Sequence, residues 1–281
     1  MLIIDSQVHI WGPNVPERPW PAAGAEGRTS VAQREVPLQR NELLFEMDRA
    51  GVTAAVIVPP SWEGDYNDLA IEAASRFPTR FAIMGRLDPT RKDAAEQLPG
   101  WKNQPGMLGL RYLFTPASPW LAEGAKYWLW AAAEKQGLPI TMAPRGHFKM
   151  MGEIAERHPG LKMSIDHMGS DSSKKGRAAF AGLDEMLKLA KLPNMAVKVS
   201  ALPCVSEEAY PHPVMQELLK RVYDAFGPER MFWGTDISRL PGTYRQAVTM
   251  FTEDTPWLKG KDLELVMGKA VARWFGWKQY L

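Results

Sequence analysis

The sequence predicts an α/β fold in which eight parallel strands and their helices form one (β/α)8 TIM barrel. Three observations lead to this prediction. The chain has 281 residues, which suits a single barrel. Short apolar runs alternate with segments of helical spacing, and the first run is not followed by the glycine-rich turn of an open doubly wound sheet. We therefore expect one barrel domain over residues 1–281, with a doubly wound sheet as the second interpretation.

Eight short apolar runs are the expected strands. They comprise Leu2–Val8, Ala54–Pro59, Phe81–Leu87, Met107–Phe114, Pro139–Ala143, Leu161–Met168, Met195–Leu202 and Met231–Ile237. Apolar residues at helical spacing within 43–47, 121–132, 180–190 and 214–226 predict helices between them. This regular alternation is typical of βα units with parallel strands.

The segment Gly12–Pro37 interrupts the alternation. It is rich in Pro, Gly and Ala and is too long for an ordinary connection between a strand and a helix. We expect it to form a functional loop over the barrel mouth, because loops at that end of a barrel commonly carry function. Trp20 on this loop, and Trp62, Tyr66 and Asn67 on the next, are candidates for lining a pocket.

The composition argues against several classes of partner. Lys and Arg number 34 against 32 Asp and Glu, a net charge of +2, so we expect binding to neither nucleic acid nor an anionic membrane surface. No apolar stretch approaches the roughly 20 residues that cross a membrane. The single cysteine, Cys204, cannot form an internal disulfide, and we interpret it as inert. Met1–Asp5 shows no export signal, so we expect a cytoplasmic protein, with a homo-oligomer left open.

Five polar residues lie at or near the ends of predicted strands. His9 follows the first strand, Arg111 lies in the fourth, His167 in the sixth, Lys198 in the seventh and Asp236 in the eighth. Active-site groups of a barrel lie at the C-terminal ends of its strands, and side chains two residues apart share a face. We therefore expect these five residues to converge at one rim of the barrel.

Further residues near the same rim are candidates for binding substrate. Gln7 shares the predicted face of His9, and Arg145 and His147 follow the fifth strand. Arg111 and Lys198 also belong to this group, because several cations at one rim suit an anionic substrate. Asp236 is the only acid that we place at a strand end on this rim.

Other polar residues have structural interpretations. Asp5 shares the predicted face of Gln7 but lies deeper in the barrel. Asp166 follows the opposite alternation on its strand, so we interpret it as a residue that orients a neighbour. His158 lies at a helix end, where a cation suits the helix dipole, and His212 lies between two prolines. We expect neither histidine to take part in catalysis.

Several stretches resemble the amidohydrolase superfamily, in chain order and over essentially the whole chain. IIDSQVHIWGP resembles its first strand, GLRYLF its fourth, SIDHMG its sixth, WGTDIS its eighth and LVMGKAVARWFGW its C-terminal closing helix. The lactonase-like branch, with pyrone-dicarboxylate and sugar-acid lactonases, is the most similar. Non-oxidative decarboxylases form a sister branch. The resemblance implies a TIM barrel in which Asp236 is the catalytic aspartate.

Two departures from the family pattern concern a metal. The family's first strand usually carries Asp-x-His-x-His, and Gln7 replaces the first of these histidines. The fifth strand lacks the histidine that commonly binds a metal there. Because glutamine is a poor zinc ligand, we expect no stoichiometric metal. If one divalent ion binds, whether zinc or manganese, we expect it at His9, His167 and Asp236.

The resulting prediction is a catabolic hydrolase of a small anionic lactone from aromatic or sugar-acid breakdown. Asp236, with a modestly raised pKa, would act as general base on water. Arg111, His9 and His167 would polarise the carbonyl and stabilise the oxyanion. Two alternatives stay open: a non-oxidative decarboxylase on the same scaffold, and an inactive barrel that binds a small acid or serves in an assembly.

Overall fold

The computed structural model describes residues 1–20, 32–115 and 118–281. Eight parallel strands pair in chain order, each with the next. They are β1 (Ile4–Val8), β2 (Ala54–Ile57), β3 (Phe81–Gly85), β4 (Met107–Leu113), β5 (Ile140–Ala143), β6 (Met163–Ile165), β7 (Met195–Val199) and β8 (Met231–Trp233). Each lies within the run predicted for it, so the predicted (β/α)8 architecture is confirmed.

Helices follow the strands around the outside of the barrel. They are α1 (Arg40–Ala50), α2 (Asp68–Arg76), α3 (Ala94–Gln97), α4 (Trp120–Glu123), α5 (Trp128–Lys135), α6 (Phe148–Arg157), α7 (Leu183–Leu187), α8 (Leu202–Val205), α9 (Pro213–Phe226), α10 (Tyr244–Thr252), α11 (Gly260–Glu264) and α12 (Ala270–Phe275). The apolar stripe within 121–132 is not one helix, because the backbone of Gly124 leaves helical conformation with a φ of 56°. None of the described helices is long and apolar enough to span a membrane.

The predicted closing helix covers the N-terminal end of the barrel. It comprises a π-helical turn, Leu265–Lys269, and α12, and α11 leads directly into the turn. A Cβ atom on Gly268 would lie 2.8 Å from the carbonyl oxygen of Leu2, so glycine is needed for this close approach. The helix packs against an apolar layer of the barrel interior. This apolar floor contains Ile4, Ala54, Ala82, Ala196 and Phe232, with Phe275 of the helix.

A β-bulge in β1 changes which side chains enter the barrel. The register of β1 against β2 shifts by one residue within the strand. Asp5 therefore accepts a hydrogen bond from the hydroxyl of Tyr244 on α10, 2.7 Å away, whereas Gln7 accepts one from Lys198 of β7, 2.8 Å away. The expectation that Asp5 shares a face with Gln7 and His9 was wrong, since the extra residue reverses the alternation.

The barrel closes where β8 meets β1. The backbone N–H of Asp236 donates to the carbonyl oxygen of Gln7 at 2.9 Å. The carboxylate of Asp5 accepts the backbone N–H of Thr235, also at 2.9 Å. These bonds fix the backbone just before and at Asp236 relative to the strand that leads to His9.

Only part of the long loop after β1 is described, since residues 21–31 lie outside the described residues. Trp20 donates from its indole nitrogen to the carbonyl oxygen of Gly12, 3.0 Å away. Gln33 accepts a hydrogen bond from the hydroxyl of Ser238, which follows β8, and lines the cavity at the barrel mouth. At Gln33, therefore, the loop reaches the mouth of the barrel.

Candidate active site

A cavity of about 620 Å³ opens at the C-terminal ends of the strands. His9, Arg111, Asp166, His167 and Asp236 all contribute to its wall. They lie in or shortly after β1, β4, β6 and β8, so side chains that are distant in sequence meet at one rim. Four of the five residues predicted to converge are thus found on one cavity wall, together with Asp166, for which we had predicted only an orienting role.

His9 and Asp236 form one of two close pairs of ionisable groups described on this wall, beside Arg111 and Asp166. The Nε2 atom of His9 lies 3.2 Å from Oδ1 of Asp236. Nδ1 of the same ring lies 2.6 Å from the carbonyl oxygen of Val58, which can only accept a hydrogen bond. Nδ1 therefore carries a proton, and the ring presents Nε2 to the carboxylate. Both groups are almost fully buried.

Asp236 stays ionised at neutral pH. Burial alone would raise its pKa, but the nearby His9, His167 and Arg239 together hold the pKa below its usual value. Arg239 Nη1 lies 3.3 Å from Oδ2 of the carboxylate. The modestly raised pKa expected from the sequence was wrong, because three neighbours favour the charged form.

His167 reaches the cavity through an unusual backbone turn. Its φ is 54°, in the left-handed region, as is that of Met168. The side chain thus leaves the face of Met163 and Ile165, with which we had grouped it; those two pack in the layer between strands and helices. Nδ1 of His167 lies 2.8 Å from the hydroxyl of Ser200. Burial lowers the pKa of His167 to about 4, so the ring is neutral at pH 7.

Asp166 is the residue whose importance the sequence understated. It is 1% exposed and lies on the inner side of β6. Its carboxylate lies 3.1 Å from Nε of Arg111 and 3.1 Å from Nζ of Lys198, and it accepts the hydroxyl of Thr141 at 2.6 Å. Burial opposes its ionisation, but Lys198 and Arg111 hold its pKa well below the usual value. The sequence did contain a signal for this position. Ser164 and Asp166 are two residues apart, so they share one face of a short strand.

Lys198 and Gln7 do not reach the cavity wall. Both side chains are completely buried, and the lysine ammonium lies between Asp166 and the ring of Phe275, which is 5.8 Å away. The structure therefore corrects the prediction that these two residues bind substrate directly, because both lie between the cavity and the closing helix. His147 is also off the wall, because its exposed ring stacks on Phe114 at 5.2 Å.

Arg145 lies at the cavity mouth and Arg111 deeper in the wall. No carboxylate among the described residues lies within 4 Å of Arg145, and burial together with Arg111 lowers its pKa. Arg111 pairs with Asp166 through Nε alone, so its two terminal nitrogens have no described protein partner. Two guanidinium groups with free donors therefore face one cavity. Trp62, after β2, adds an apolar wall and meets His9 edge-on at 5.8 Å.

A parallel barrel with a carboxylate, two imidazoles and a guanidinium at its C-terminal rim is typical of a barrel enzyme with its active site at that rim. The family model described as Amidohydrolase matches residues 4–277. The chain belongs to the amidohydrolase family, and it is a hydrolase.

Individual relatives cover most of the chain. The L-fucono-1,5-lactonase of Burkholderia ambifaria is 27% identical over 253 residues, which are 86% of this chain and 82% of that protein. A probable 2-pyrone-4,6-dicarboxylic acid hydrolase from Acinetobacter baumannii, solved with citric acid bound, has a TM-score of 0.75 at 18% identity and covers 98% of this chain and 100% of its own.

Two further solved structures share the fold. An amidohydrolase from Burkholderia multivorans with bound zinc has a TM-score of 0.78 at 19% identity, covering 98% of this chain and 99% of its own. The 2,6-dihydroxybenzoate decarboxylase from Rhizobium has a TM-score of 0.67 at 15% identity and covers 99% of both chains. At such low identity these structures establish the shared barrel.

The donors of this chain do not fit a metal ion well. Within residues 1–20, 32–115 and 118–281, no three His, Cys, Asp or Glu side chains are grouped so that they could hold one. His9 and Asp236 provide two neighbouring donors, and His167 could add only Nε2, because its Nδ1 is engaged by Ser200. The amide oxygen of Gln7 already accepts a buried ammonium group. A zinc site normally needs three good protein ligands.

Proposed function

We propose that the protein hydrolyses a small anionic lactone and opens its ring to a hydroxy acid. The observation that carries the proposal is a buried, ionised Asp236 on the same cavity wall as Arg111. A carboxylate can take a proton from water, and a guanidinium with free donors can hold a carboxylate or an oxyanion. The lactonase relative supports this reaction.

Asp236 acts as the general base in the proposed mechanism. It accepts a proton as water adds to the lactone carbonyl, and the carbonyl oxygen becomes the oxyanion. Protonated Asp236 then returns this proton to the ring oxygen as the ester bond breaks. A carboxylate with a lowered pKa is a weak base, so transition-state stabilisation by neighbouring groups must supply much of the rate.

Arg111 is the proposed oxyanion and substrate ligand, helped by His167, whose Nε2 can donate when Nδ1 accepts the hydroxyl of Ser200. His9 contacts Asp236 instead of the substrate oxygen. The free terminal nitrogens of Arg111 are preorganised by the bond from Nε to Asp166. Arg145 at the mouth is placed to attract and hold a carboxylate of the substrate. Asp166 is the one described carboxylate that pairs with Arg111, and Arg145 has none. The two cations therefore favour an anionic substrate over a neutral one.

A panel of matched lactones with and without a carboxylate tests the proposal. We expect wild type to open the carboxylated lactones preferentially, and Arg111→Met and Arg145→Met to raise KM or lower kcat/KM for those members. Arg177→Met is the matched control, because the ion pair of this exposed arginine within the described residues is with Glu217. Equal turnover of neutral lactones, unaffected by either cavity substitution, would refute the anionic substrate. Release of carbon dioxide without a ring-opened acid would favour decarboxylation instead.

We also propose that the reaction needs no stoichiometric metal. The poor donor set supports this, since the described residues form no group of three ligands and the amide oxygen of Gln7 already accepts a hydrogen bond from Lys198. Metal analysis of protein purified without chelator tests it. We expect far less than one equivalent of zinc or manganese and full activity after dialysis against a chelator. One tightly bound equivalent whose removal abolishes activity would contradict the proposal.

A further inference from the structure

Lys198 is a buried amine that the proposed mechanism does not use. Burial lowers its pKa, and the neighbouring Asp166 opposes this shift. The side chain of Lys198 is completely buried, between the cavity and the closing helix. Nζ donates to Oε1 of Gln7 at 2.8 Å and lies 3.1 Å from Oδ1 of Asp166. Burying an ammonium group is costly even when it is paired, so this position needs a physical reason.

Asp166 is shared between two cations. Lys198 approaches Oδ1, which also accepts the hydroxyl of Thr141, and Arg111 donates from Nε to Oδ2. One carboxylate therefore balances two positive charges. Without Lys198, Asp166 and Arg111 would form a neutral pair, and the positive field of the guanidinium in the cavity would be weaker.

We propose that Lys198 is a positioning residue that draws Asp166 away from Arg111, so that the guanidinium keeps a net positive charge toward bound anions. The lysine also holds the side chain of Gln7, whose backbone carbonyl accepts the N–H of Asp236 at 2.9 Å. It thus supports both sides of the cavity without touching substrate. This inference rests on the proposed function, because it assigns the origin of the selectivity for anions.

The first test compares single and double substitutions of the charges. Lys198→Met should raise KM for a carboxylated lactone about tenfold, with a smaller effect on kcat and little effect on a neutral lactone. Adding Asp166→Asn to it should recover much of the loss, because Arg111 then has no counter-charge. A purely structural role predicts that the double variant is worse than the single one, and that result would overturn the proposal.

A matched control separates charge from packing. Thr141→Val removes a hydrogen bond to the same oxygen of Asp166 but leaves every charge in place. We expect it to affect carboxylated and neutral lactones equally. If Thr141→Val and Lys198→Met shift the preference for anions by the same factor, the charge of Lys198 is not the cause.

A binding measurement makes the test independent of turnover. Calorimetric titration with isophthalate, and with isophthalamide as its uncharged counterpart, reports anion affinity even if the enzyme opens no lactone. Isophthalate should bind wild type more tightly than isophthalamide, and Lys198→Met should weaken isophthalate about tenfold. If Lys198→Met does not fold, the single variant Asp166→Asn tests the proposal. This variant should bind isophthalate as tightly as wild type or more tightly. Weaker binding of isophthalate to Asp166→Asn would refute the proposal.

Discussion

The barrel interior contains two layers that are equally buried and chemically opposite. The apolar floor packs hydrocarbon against the closing helix. The charged layer above it reaches up to the cavity and consists of Arg111, Asp166, Lys198 and Asp236. The floor gains stability from removing apolar surface from water, whereas burying charge costs free energy even when the charges are paired. We therefore infer that folding and the proposed catalysis depend on different layers of one barrel, so substitutions should separate them.

The largest expected effect is on catalysis, from Asp236→Asn in the charged layer. Asparagine keeps the shape but cannot accept a proton, so kcat should fall by about 10² to 10⁴. Steady-state assays and circular dichroism should show lost turnover in a folded protein. Asp224→Asn is the control, because this exposed carboxylate pairs with Lys220 on the surface and has no other ion-pair partner among the described residues. A rate near that of wild type would show that another group is the base.

The next effect is on stability, from Phe232→Ala in the apolar floor. Phe232 is fully buried and meets Phe275 at 5.9 Å between ring centroids. Its truncation should lower the free energy of unfolding by about 3 to 5 kcal/mol, as measured by denaturant titration. The kcat of the folded fraction should change little. Phe45→Ala, at a ring 59% exposed, should change stability much less. A comparable loss of stability from both substitutions, or a selective loss of kcat in Phe232→Ala, would contradict the separate roles of the two layers.

A smaller effect is expected from Tyr244→Phe, at the seam where β8 meets β1. The lost hydroxyl donates to Asp5, whose pKa burial raises to about 6 despite four hydrogen bonds that lower it. Removing a donor to a buried carboxylate should cost about 1 to 3 kcal/mol. This donor favours the ionised form, so the cost should be greatest above pH 6 and shrink as pH falls and Asp5 takes up a proton. Thermal unfolding at pH 5 and pH 8 measures this, and an opposite trend would contradict it.

The smallest effect concerns pH. His167 has a pKa lowered to about 4, and the pKa of Asp236 is lowered as well, so neither changes charge between about pH 5 and 8. We expect kcat/KM to be nearly constant over that interval and to fall only in more acidic buffer. A pH–rate profile checks this. An acid limb centred between pH 6 and 7 would show that a group with a different pKa carries the proton.

The sequence by itself determined the architecture and most of the rim. Strand and helix periodicities are local properties, so all eight strands and the closing helix could be predicted before any contact was known. Strand ends of a parallel barrel meet at one edge, which is why His9, Arg111, His167 and Asp236 could be placed together.

Only the tertiary structure decided how the charged side chains pair. The bulge in β1 directs Asp5 toward α10, and the left-handed turn at His167 leaves Asp166 on the inner side of β6. Lys198 then pairs below the cavity instead of on its wall. Alternation along a strand predicts a face only while the strand stays regular. The sign of a pKa shift depends on neighbours from distant strands, and these become neighbours only when the barrel closes.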